Sequence, residues 1–77
     1  MTNATARRAA IMELTADLRA ELSAINGELA CINVELDGMR NPTVRMARLS
    51  DRAWDLRARF DMICRQIERR VDAFVDA

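Results

Sequence analysis

The sequence predicts an all-α protein: an antiparallel, coiled-coil-like two-helix hairpin that assembles into a helical-bundle homo-oligomer. Three observations predict it. Apolar residues recur every three or four positions along two long segments. A short stretch between Gly38 and Asn41 separates them. Charges of opposite sign stand where two such helices would meet.

The first helix is expected over about residues 5–37, with Thr5 or Thr2 as its N-cap. Its apolar stripe is Ile11, Leu14, Leu18, Leu22, Ile25, Leu29, Ile32 and Leu36. Gly38 follows as a residue free to take positive φ after the last turn. Asn41 then offers an N-cap and Pro42 the first helical position, so the turn is expected at about 38–41. The second helix is expected over about 42–75, with the stripe Met46, Leu49, Ala53, Leu56, Phe60, Ile63, Ile67, Val71 and Phe74. Each stripe holds one extra step of four, Leu18 to Leu22 and Ile67 to Val71, which reads as a local stutter. A turn this short makes the helices antiparallel neighbours within one domain, residues 1–77.

Charges specify the register. Writing the heptad as abcdefg, with Leu22, Leu29 and Leu36 at a, puts Glu21, Glu28 and Glu35 at g. With Met46, Ala53 and Phe60 at a on the second helix, Arg45, Arg52 and Arg59 are at g. In an antiparallel pair g faces g, so Glu35 should meet Arg45, Glu28 should meet Arg52, and Glu21 should meet Arg59. The pairs choose register and orientation more than they stabilise, at about 0.3–1 kcal/mol each when exposed.

Composition narrows the function classes. Apolar residues make up 51% and charged residues 31%, too apolar for a disordered chain and too charged for a membrane span. No secretory leader is evident and two cysteines suit a reducing compartment, so a cytoplasmic location is expected. Twelve basic and twelve acidic residues balance, so neither nucleic acid nor a membrane is an expected partner. Arg7, Arg8, Arg65, Arg69 and Arg70 cluster at the open end, but Glu68, Asp72 and Asp76 dilute them. There is no histidine, no nucleophile with an adjacent base and no phosphate-cradling glycine loop. The chain is therefore expected not to be an enzyme, with no cofactor and no metal. Glu13 and Asp17 lack the ExxH companions of a bundle metal site, and Cys31 and Cys64 read as small packing residues.

A lone hairpin has a one-layer core, and small domains usually need a further device. The side of the first helix away from its partner carries Ala20, Ser23, Ala24, Gly27, Ala30, Cys31 and Val34. These small residues read as an oligomer interface, most simply of a dimer. The second helix carries charges on its outer face, with Trp54, Ala58 and Met62 spaced by four among them as a candidate partner patch. The e positions form a polar row in which Asn33 faces Thr43, Asn26 faces Ser50, and Arg19 faces Arg57.

Three functions are expected in descending order. The first is a non-catalytic oligomeric interaction protein that regulates or inhibits a protein target by surface contact, as compact inhibitors from phages or mobile elements do. The second is a sponge that sequesters an anionic small molecule, such as a signalling nucleotide, between subunits at the Arg19/Arg57 groove. The third is RNA binding. In architecture alone the hairpin resembles the plasmid copy-number regulators that dimerise and grip paired RNA loops, which implies an RNA partner; the neutral charge opposes it.

Overall fold

A computed structural model describes residues 3–40 and 43–77 of the chain. Every regular element in it is an α-helix: α1 (Asn3–Leu14), α2 (Ala16–Asp37) and α3 (Val44–Asp76). The molecule measures 56 × 21 × 14 Å. Fourteen ångströms is little more than one helix with its side chains, and twenty-one is about two side by side. The core is therefore a single seam rather than an enclosed volume.

That seam is built from Leu18, Ile25 and Ile32 of α2 against Ala53, Leu56 and Ile63 of α3, all buried. Leu22, Leu29, Leu36, Leu49, Phe60 and Ile67 flank them, partly buried. The direction and register are those the charge pattern predicts. Arg45 donates to Glu35 at 2.7 Å, Arg52 donates to Glu28 at 3.0 Å, and Arg59 bonds Glu21. Each step of one heptad down α2 is one heptad up α3, so the helices run in opposite directions. The ladder side chains are about half exposed, so water screens their attraction.

The first long helix differs from expectation, because it breaks at Thr15 (φ −108°, ψ 6°). Thr15, not Leu14, occupies the seam: Thr15 is 2% exposed, whereas Leu14 is 40% exposed. Counting Thr15 as the a position restores an unbroken alternation of three and four from Ile11 to Leu36, and the expected stutter at Leu18 disappears. A buried hydroxyl must find a hydrogen-bond partner. Thr15 Oγ1 donates back to the Ile11 carbonyl at 2.8 Å, which also accepts the Thr15 amide at 3.1 Å. Back-bonding of this kind bends helices.

The second extra step has the same origin. The heptad slot after Ile63 and Ile67 falls on half-buried Arg70, which apolar counting passes over in favour of Val71. At the turn, Gly38 keeps right-handed dihedrals (φ −79°, ψ −10°) rather than the positive φ expected. Its amide continues the last helical turn by donating to the carbonyls of Val34 and Glu35. Entry to α3 is capped by Thr43, whose side chain accepts from the Met46 amide at 3.1 Å. The expected cap Asn41, Pro42 and the candidate cap Thr2 lie outside the described residues, and α1 already starts at Asn3, two residues before Thr5.

Candidate interaction surfaces

The break at Thr15 exposes carbonyls that a continuous helix would satisfy. Two arginines reach them. Arg19 donates to the Met12 carbonyl at 3.4 Å, and Arg70 crosses from α3 to the Leu14 carbonyl at 3.1 Å. The same Arg70 nitrogen bonds Asp17 Oδ1 at 2.7 Å. Arg70 thus ties α3 to both sides of the break. Sequence reading missed this latch, and its signals were a threonine at one seam position of the first helix and an arginine at one seam position of α3, where the neighbouring seam positions are apolar.

The hydrogen bond from Arg70 holds the Asp17 carboxyl below the usual carboxylate range, with desolvation working against it. Because the folded-state value is the lower one, unfolded chains take up the proton first as pH falls. The contribution of the pair is therefore fully present above the ordinary carboxylate value and is lost as pH falls through the depressed one. An Arg70→Met variant keeps an apolar stem in the seam but loses the donor to the Leu14 carbonyl and to Asp17. Its amides over residues 3–14 should exchange with solvent ~3- to 10-fold faster, the scale of one net hydrogen bond, while those over 21–32 stay unchanged. Equal acceleration in both segments would mean that Arg70 supports the whole seam and not the break. Asp17→Asn should remove the acid sensitivity of α1.

The predicted groove at the e positions is only partly assembled. Asn26 and Arg57 line one shallow cleft of about 290 Å³ together with Leu29, Phe60 and Asp61. Arg19 is turned to the Met12 carbonyl. Asn33 and Thr43 are exposed and Ser50 is half-buried near the turn end, none of them lining that cleft. Asp61 lines the same cleft as Arg57, so a carboxylate shares it and lowers its pull on an anion.

The outer face of α2 is exposed at every residue singled out: Ala20, Ser23, Ala24, Gly27, Ala30, Cys31 and Val34. Val34 is 73% exposed. A Cβ placed on Gly27 would meet nothing within 4 Å, so no contact inside the chain demands glycine there. Cys31 is exposed rather than packed, and Cys64 is half-buried.

On α3, Trp54 is 71% exposed and Met62 56% exposed, with Ala58 between them. Residues four apart form the ridges that fit the grooves of another helix. Met62 and Ala58 also line a larger cleft of about 610 Å³ on the ladder side, opposite Ala24 of α2. The ridge and the α2 strip thus share an edge.

Among the described residues no group of three metal-ligating side chains comes together, and no helix is long and apolar enough to cross a membrane. No protein-family model matches the chain, and neither a curated protein nor a solved structure matches it.

Proposed function

We propose that the chain is a non-catalytic interaction protein: a coiled-coil-like antiparallel helical hairpin that assembles with copies of itself and regulates or inhibits a protein target by surface contact. One observation carries this reading. α2 is apolar on two opposite sides, with Leu18, Ile25 and Ile32 in the seam and an uncharged, exposed strip from Ala20 to Val34 behind them. The glutamates bordering the strip, Glu21 and Glu28, are held by Arg59 and Arg52. Solvated helix faces carry charge, so a second surface belongs against this one. The Trp54–Ala58–Met62 ridge supplies the contact for the target, since exposed tryptophan and methionine are enriched where proteins meet.

The target contact is tested by co-purification from cells of the source. A stoichiometric protein partner is expected with the natural chain and lost with Trp54→Ala. Trp54 lies outside the core, so helicity and melting temperature should stay within ordinary surface-substitution limits of about ±0.5 kcal/mol. A complex indifferent to Trp54→Ala removes the ridge from the mechanism.

The second reading is sequestration of an anionic small molecule, favoured by Asn26 and Arg57 sharing one cleft. It ranks lower because Asp61 opposes the charge and Arg19 is engaged elsewhere. A nucleotide panel in a thermal-shift assay decides it: a tight ligand raises the melting temperature by mass action, and a flat response across the panel dismisses the sponge.

A further inference from the structure

The cleft of about 610 Å³ between α2 and α3 combines apolar walls with an unbalanced charge. Ala24 and Ile25 form one wall, and Leu56, Ala58 and Met62 the other. An alanine on each side leaves room that larger residues would close. Glu21, Glu28, Arg52 and Arg59 also line the cleft, and they cancel as two rungs of the ladder. The remaining charge in its lining, Asp55, has no ion pair among the described residues. Asp51, one turn earlier on α3 and likewise exposed, has none either. Arg52 and Arg59 are taken by glutamates, and Arg48 and Arg65 stand outside the stretch from Asp51 to Met62. The cleft is therefore an apolar trough with a net negative charge.

The walls select the shape of an occupant. Both are helices whose amides and carbonyls bond within the helix, so no edge is offered to an extended strand. A straight trough between two helices suits a third helix, whose side chains at i, i+3 or i+4, and i+7 enter between Ala24 and Ala58. The charge selects the rest. Unpaired aspartates repel the phosphates of nucleic acid and of anionic lipid, and they attract lysine and arginine. The ridge of Met62 and Ala58 continues past the cleft to Trp54, which is 71% exposed. A helix lying along the cleft covers that tryptophan, the residue type most often dominant where proteins meet.

From the apolar walls, the uncompensated Asp55 and the adjoining Trp54 we infer that this cleft docks an amphipathic helix of a protein partner, one whose apolar stripe is flanked by lysine or arginine set against Asp55 and Asp51. This deepens the proposed function and rests on its target contact at the Trp54–Ala58–Met62 ridge. The apolar stripe fills the trough, and the basic flank supplies the charge that the ladder leaves unbalanced.

Trp54 is the sole tryptophan and the chain has no tyrosine, so its intrinsic emission reports this site. The probe is a library of tryptophan-free helical peptides of about five turns, apolar on one face and randomised between lysine and glutamate on the other, selected on the immobilised chain. Selected peptides should favour lysine beside the apolar stripe, and in solution they should move Trp54 emission to shorter wavelength. Asp51→Asn with Asp55→Asn should weaken the best of them about 3- to 30-fold, the scale of two partly exposed charge pairs. Asp55→Lys should turn the selection toward glutamate. Both aspartates are exposed, so helicity should not change. Absence of binders, selection without charge bias, or binders that leave Trp54 emission unmoved overturns the inference. A shift of Trp54 emission with concentration of the chain alone assigns the cleft to a second copy and overturns it as well. The co-purified target separates this inference from the function it rests on. A target lost with Trp54→Ala but indifferent to the paired aspartate variant keeps the target contact and overturns the basic helix, whereas indifference to both overturns the two together.

Discussion

Replacing Leu56 by alanine should lower the melting midpoint by ~10 °C or more. Leu56 is 4% exposed and stands in the middle of the seam, packed with the α2 aliphatic row. Truncating a buried leucine costs about 2–5 kcal/mol, part from lost transfer and part from the cavity left behind. In a domain of this size ~1 kcal/mol moves the midpoint by about 4–8 °C. The one-layer core has little else to absorb the loss. The matching control is Leu14→Ala, because Leu14 is off the seam at 40% exposure and should cost well under half as much. Thermal unfolding followed by circular dichroism measures both. Equal losses at the two positions would return Leu14 to the seam and remove Thr15 from it.

The second large effect concerns register. Changing Glu21, Glu28 and Glu35 together to arginine sets like charges against Arg59, Arg52 and Arg45. Each exposed pair is worth about 0.3–1 kcal/mol when attractive and costs a similar amount when repulsive. Three reversals therefore shift stability by ~2–6 kcal/mol in the same direction, a large share of what a small domain holds. Further reversal of the three arginines to glutamate should restore most of the loss. Salt should soften the triple variant's defect, since all six side chains are about half exposed. Stability of the triple variant near that of the natural chain would mean that the seam alone selects the register.

These two expectations rest on features with different legibility. The ladder was readable from residue numbers, because a g-to-g match depends only on heptad position and sign. Leu18, Ile25 and Ile32, and Ala53, Leu56 and Ile63 opposite them, were readable for the same reason: period and hydrophobicity coincide there. Thr15 and Arg70 were not, because periodicity counts apolar residues and skips a polar one in a core slot. The candidate strip on α2 was visible as composition. Its border became clear only when the ladder glutamates were seen to be held by arginines and so withdrawn from the outer face.

The amino-acid order by itself determined that the chain is helical, which apolar rows occupy the seam, and which glutamate meets which arginine. All of these follow from local propensity and from the repeat of the helix. Tertiary structure decided that the first helix breaks at Thr15, that Thr43 caps α3, and that Arg70 spans the break. Those outcomes depend on where a buried hydroxyl and orphaned carbonyls find partners, and such partners can lie in helices far apart along the chain.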